Sequence, residues 1–237
     1  MITRRSPVAS FVLLCLLPAV PATAQSIPSS YRYIENPQAA SVFGGYMSLA
    51  TGSLDLGPKS GTFVGGRYAI EATGPLFVEG RVAYLPTRRD VIDPRRQLGD
   101  RAIGESDVHL LMMDARLSFS LTGRRTWNRF TPHLFMGAGI ALDAAGPGDP
   151  DGDLRAEDVF DFGTAFTVNA GTGFRLLLGS RFMLRTDASL TLWQLSTPTG
   201  FNDPATRPDD EEDPLYAPER SEWVGGYGLT VSFAWRF

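Results

Sequence analysis

From Trp223 to Phe237 the chain alternates without interruption. Every second residue from Trp223 gives Trp, Gly, Tyr, Leu, Val, Phe, Trp and Phe, whereas the intervening set is Val, Gly, Gly, Thr, Ser, Ala and Arg. A period of two with unlike faces specifies a β-strand. Aromatics bracketing an apolar middle suit a strand that crosses a bilayer with its rings at headgroup level. Earlier segments repeat the pattern. Thr62 to Ala72 sets Val64, Tyr68 and Ile70 against Phe63, Gly65, Arg67 and Glu71, and Leu76 to Tyr84 sets Val78, Val82 and Tyr84 against Phe77, Glu79, Arg81 and Ala83. Val108 to Ser120, Pro132 to Leu142, Phe160 to Leu178 and Phe182 to Trp193 continue it, with Phe160, Phe162 and Phe166 assigned to one apolar face. Ser41 to Ala50 completes eight strands; its phase stays open because Phe43 and Tyr46 put an aromatic on each face.

The connections alternate in length. Thr73-Gly74-Pro75, Thr122 to Arg129 and Gly179-Ser180 are short, while 51–60, 86–107, 143–158 and 196–222 are long, which collects the short turns at one end of an up-and-down barrel. The second long connection carries five arginines and five acids and reads as a charge-balanced loop. A soluble β-sandwich also alternates. Three features favour a membrane barrel over it: aromatics at strand ends, mixed charge signs on the polar face, and the aromatic closing strand. The polar faces carry Arg67, Glu71, Glu79, Arg81, Asp114, Arg116, Arg175, Arg185 and Asp187. An eight-stranded barrel is only wide enough to be filled by side chains, so these charges are expected to neutralise one another inside it. Asp161 near a rim makes the expected count five arginines against five acids. Strand glycines, among them Gly65, Gly66, Gly137, Gly139, Gly171, Gly173, Gly225 and Gly226, fit the bends and close approaches of a small barrel.

Composition adds a compartment. Arg4 and Arg5, the apolar stretch Phe11 to Leu17 and the A-x-A site Ala22-Thr23-Ala24 make residues 1–24 a secretory signal peptide. Residues 25–40, without a period, form a periplasmic lead-in to a barrel over 41–237. The single cysteine, Cys15, leaves with the leader, which removes disulfides and thiolate chemistry. The 22 basic residues less Arg4 and Arg5 leave 20 against 26 acidic, a formal charge of −6, so nucleic acid is not an expected partner. No apolar run is long enough for a helical span.

The aromatic closing strand, the eight-strand count and the alternation of turn and loop lengths resemble the OmpA/OmpX-type eight-stranded outer-membrane barrels, the outer membrane protein β-barrel domain family, over residues 41–237. The resemblance implies an all-β, eight-stranded antiparallel up-and-down transmembrane barrel in the bacterial outer membrane, inserted by the barrel assembly machinery. Tyr227, Phe233, Trp235 and Phe237 stand where that family carries its C-terminal insertion signal. Outer-membrane lipids and lipopolysaccharide are the implied partners, and a monomer the implied state. With Phe237 as the last residue, no cell-wall anchoring role is expected.

Candidate chemistry is sparse. Small outer-membrane lipid A enzymes use histidine with serine, but neither His109 nor His133 has a serine two residues away, and alternation puts them at opposite rims. No catalytic, cofactor or metal residue is assigned. Asp149-Pro150-Asp151-Gly152-Asp153 has part of a calcium-loop spacing, yet position twelve is Phe160 instead of glutamate, so this stretch and Asp209 to Asp213 read as solvated acidic loops. The run from Gly52 through Gly57 to Lys59 looks like a phosphate-binding loop without the required strand and helix. The expected function is non-enzymatic: a charge-plugged barrel with long acidic loops, serving envelope structure or surface interaction. The alternative is a narrow conduit for small hydrophobic or polar solutes.

Overall fold

The structure, a computed structural model, describes residues 30–205 and 207–237. The leader, with Cys15, and residues 25–29 of the lead-in lie outside the described residues. Ten strands follow one another: β1 Tyr31–Tyr33, β2 Gln38–Leu49, β3 Gly61–Thr73, β4 Leu76–Ile92, β5 Ala102–Ser120, β6 Arg125–Trp127, β7 Phe130–Asp143, β8 Thr164–Leu177, β9 Phe182–Ser196 and β10 Ser221–Arg236. Eight of them form the barrel. Each long strand pairs antiparallel with the next, and β10 returns to β2 from Gly226 opposite Leu49 to Arg236 opposite Ala39. Closure leaves the ring without an exposed edge.

The outward faces are apolar. Val42, Val64, Met136, Phe166, Leu229 and Val231 are all exposed, and Tyr227 reaches 73 %. A continuous belt of this size is far larger than a soluble monomer shows, and it suits lipid. The inward faces bury arginines, acids, serines and threonines. On β2 the phase is settled by burial: Phe43 and Met47 point in, and Val42 and Tyr46 point out.

Three sequence expectations need correction. The connection at 86–107 is mostly strand, because β4 and β5 stay paired from Leu85–Leu110 out to Ile92–Ala102. Its balanced charges suggest a loop, but beyond the apolar belt a strand face carries charge readily. Arg88 sits opposite Asp107 at 3.2 Å and reaches Glu105 diagonally at 3.3 Å, an arrangement that stabilises a hairpin in water. Phe160 is not on the lipid face. The left-handed turn at Gly163 (φ 55°) breaks the phase ahead of β8, and Phe160 folds inward, 2 % exposed, beneath the guanidinium of Arg89. The lead-in is also not featureless: β1 pairs with β6 in the second short connection, and Ile34 is buried at the short-turn mouth.

Candidate functional site: the barrel interior and its lid

The interior has two halves. Toward the short turns it is ionic. Arg81 Nε lies 2.7 Å from Asp114, which also takes Arg116 Nε at 2.5 Å. Glu79, fully buried on β4, reaches across the barrel to Arg185 at 2.6 Å and Arg175 at 3.0 Å on β9 and β8. Asp187 takes Arg185 at 2.8 Å, Arg67 at 2.8 Å and His133 Nε2 at 2.9 Å. Two like-charged pairs stand directly opposite in the sheet, Arg67 with Arg81 and Arg175 with Arg185. Such pairs repel unless something lies between them. Glu79 fills that role between Arg175 and Arg185, whereas Arg67 and Arg81 turn to different acids, Asp187 and Asp114.

Two of the expected acids are elsewhere. Glu71 pairs with Arg124 at the short-turn rim, 2.8 Å away, and Asp161 is exposed in a loop. Five interior arginines therefore face three carboxylates. The shortfall is met in part by inward phenylalanines. Phe43 lies under Arg67 and Arg81 at 5.4 and 5.7 Å, Phe135 under Arg116 and Arg185 at 4.8 and 6.0 Å, and Phe77 under Arg175 at 4.7 Å. An aromatic face in a dry setting attracts a cation by about 2 kcal/mol. Alternation puts Phe77 and Phe135 on the inner face, but their part in the charge balance depends on which arginine lies over each ring, which alternation does not specify.

Toward the long loops the interior is apolar. Met47, Phe63, Leu85, Leu110, Met112 and Trp193 pack together, and Leu56, Phe160, Phe201 and Leu215 close over them from the loops. His133 is buried against Asp187. Ser120 stands across the strand pair from it, but its hydroxyl donates to the Gly123 carbonyl at 2.9 Å and is not delivered to the imidazole. His109 is hydrogen-bonded to the Tyr84 hydroxyl at 3.0 Å on the outer surface. The two histidines share no site. Among the described residues no three His, Cys, Asp or Glu side chains converge to hold a metal ion.

With this geometry in view, a comparison with solved structures is decisive for the fold. Outer membrane protein OprG from Pseudomonas aeruginosa superposes with a TM-score of 0.52 at 12 % identity, covering 86 % of this chain and 97 % of that one. The fold is that of an eight-stranded outer-membrane β-barrel. Neisserial surface protein A (TM-score 0.46, 11 % identity, 88 % and 98 % covered) and the N-terminal barrel domain of Pseudomonas aeruginosa OprF (0.39, 13 %, 84 % and 99 %) are also similar. No protein-family description matches the sequence, and no curated protein does.

The acidic loops of this barrel are latches more than solvated tails. Asp151 is buried on Arg89 at 2.6 Å, and Asp158 and Glu157 hold Arg95 at 3.1 and 3.0 Å. Asp213 takes both Nη atoms of Arg101 at 2.7 Å. The central acid of the partial calcium spacing, Asp151, and the two acids beyond it, Glu157 and Asp158, thus bind arginines of the β4–β5 hairpin. Lys59, in the phosphate-loop lookalike, bonds Asp90 and Glu105 at 2.8 Å each, and these hydrogen bonds raise its pKa. Glu222 accepts from the Ser53 amide and hydroxyl at 2.9 Å. Every long loop is tied to a neighbour.

The hydrogen bonds from Arg101 hold the Asp213 carboxyl below the usual carboxylate range, so this latch contributes order above the unfolded pKa of about 3.9 and loses it as pH falls through the folded value. Asp213→Asn at neutral pH should reproduce that loss. The expected result is several-fold faster limited proteolysis within 197–220 for the variant, with the unaltered protein reaching the same rate only in strong acid. Equal rates at neutral pH would remove the latch.

Proposed function

We propose that the protein is a non-enzymatic, monomeric barrel of the bacterial outer membrane, closed to solutes, that braces the envelope and presents its latched loops at the cell surface. The observation carrying this reading is the filled interior: ion pairs cross one half, packed apolar side chains occupy the other, and loop residues cover the top. Residues 67, 79, 81, 114, 116, 175, 185 and 187 then serve as a plug, with Glu71 outside it. In this orientation the short turns face the periplasm, and membrane lipids contact the outward belt while lipopolysaccharide meets the aromatic and charged upper rim. Tyr227, Phe233, Trp235 and Phe237 all lie on the outward face of the closing strand, available to the barrel assembly machinery during insertion.

A conduit for small hydrophobic solutes is the second reading. It is favoured by a recess of about 240 Å³ between the loops, lined by Leu54, Ile92, Leu98, Phe201 and Leu215 together with Asp55 and Arg101. Planar-bilayer recording separates ionic conduction from closure. The refolded full chain is expected to show no steady conductance, and steady single-channel steps would overturn the plug. Uptake of an apolar dye into vesicles carrying the barrel, at rates above empty vesicles, would favour the second reading.

A further inference from the structure

The interior carries more positive charge than its own acids neutralise, and part of the excess gathers near the short-turn mouth. Arg175 and Arg185 share Glu79, and Arg185 also shares Asp187 with Arg67. Arg236, 5 % exposed at the end of β10, makes no ion pair among the described residues; its one side-chain hydrogen bond is to the Asn36 carbonyl at a long 3.5 Å. Arg175 Nε and Arg185 Nη2 are buried without a hydrogen-bond partner. Phe77 and Phe135 compensate two of these cations in part and leave Arg236 untouched.

These three arginines line one cavity, whose other walls are mostly apolar, among them Ile34, Phe77 and Met183, with Asn36 and Gln38 also lining it. It has about 30 Å³ of room for the centre of a water-sized particle, enough for one or two small species. It adjoins a wider vestibule of about 300 Å³ at the short-turn mouth, with which it shares Asn36, Leu177 and Arg236, so an entry path exists. The only carboxylate lining that vestibule is the exposed Glu35.

We propose that this cavity is an anion site, holding one weakly hydrated monovalent ion of the halide class between Arg175, Arg185 and Arg236. Buried guanidiniums stay charged, and unpaired buried charge is costly, so a mobile anion is the natural counter-charge. Room for only one or two water-sized species suits a monatomic ion better than phosphate. The mostly apolar wall cannot replace a tight hydration shell, which favours iodide and bromide over chloride and chloride over fluoride. The bound ion would sit between the opposed Arg175 and Arg185 on the side away from Glu79. The site does not depend on the barrel being closed, since a conducting barrel could hold the same ion.

The test uses the refolded full chain in detergent at constant ionic strength, titrated with chloride and followed by the chlorine resonance line width. The expected result is saturable broadening, displaced by iodide at lower concentration than by fluoride. Arg236→Gln, shown to be folded by its altered gel mobility before boiling, should weaken binding by about tenfold or more, the loss of one charge-assisted hydrogen bond. Broadening that never saturates, or that saturates identically in Arg236→Gln, would overturn the proposal. If that variant does not refold, iodide-soaked crystals of the unaltered protein decide the matter: anomalous density in contact with Arg175, Arg185 and Arg236 is expected, and its absence there refutes the site.

Discussion

Glu79→Gln is expected to destabilise the refolded barrel by about 3–5 kcal/mol, the cost of breaking a buried ion pair and leaving charge without a partner. Glu79 is completely buried and is the acceptor that spans the barrel, joining β4 to β8 and β9. Its loss leaves Arg175 opposite Arg185 in the sheet with no carboxylate shared between them, and Asp187 already serves Arg67, Arg185 and His133. Glutamine keeps the shape but removes the charge and turns one acceptor oxygen into a donor. The matching control is Glu71→Gln, whose side chain is 7 % exposed but whose single partner Arg124 is 38 % exposed at the rim and can turn to water, so that its change should cost less, about 1–2 kcal/mol. Urea unfolding in lipid vesicles, followed by tryptophan fluorescence, measures both. Equal midpoints for the two variants would mean that the interior pairs contribute no more than a surface salt bridge.

The contrast between Glu79 and Glu71 also marks how far the sequence could be read. Alternation places both on the inner face, and it does so correctly, but it says nothing of height along the barrel. Glu71 lies close to the turn at Gly74, where the mouth opens to water and Arg124 of the next short connection is at hand. Strand identity was legible wherever the two faces meet different solvents, as on β10. It failed above the bilayer at 86–107, where both faces of the hairpin carry charge and the lipid signal is gone. The open phase of β2 was itself informative. Phe43 and Met47 point inward because the upper interior is apolar, so an inner aromatic on that strand does not contradict the barrel. A rule that equates inward with polar misses Leu85, Leu110 and Trp193 for the same reason. The loop latches were beyond reach, because each joins residues far apart in the chain, as Arg101 and Asp213 do.

Gly173→Ala is the second substitution expected to have a large effect, and it tests how the charges come to fit at all. Asp114, Arg116 and Asp187 each stand directly opposite a glycine, Gly139, Gly137 and Gly173. A methyl group at Gly173 would fall 2.3 Å from the Thr186 carbonyl oxygen, 2.4 Å from Asp187 Oδ1 and 2.9 Å from His133 Cε1. The first of these atoms is backbone and cannot swing away, so β8 and β9 must separate or Asp187 must leave its arginines. Overpacking alone costs about 1–3 kcal/mol, and displacing Asp187 adds to it. Gly66→Ala is the control on the same sheet: it faces lipid, its nearest atom would be the Ser41 carbonyl oxygen at 3.9 Å, and its effect should stay within about 0.5 kcal/mol. A Gly173→Ala barrel that unfolds at the same urea concentration as Gly66→Ala would show that the glycine is incidental. A large gap between them would mean that the empty space beside Asp187, as much as the carboxylate, is what the alternating sequence encodes.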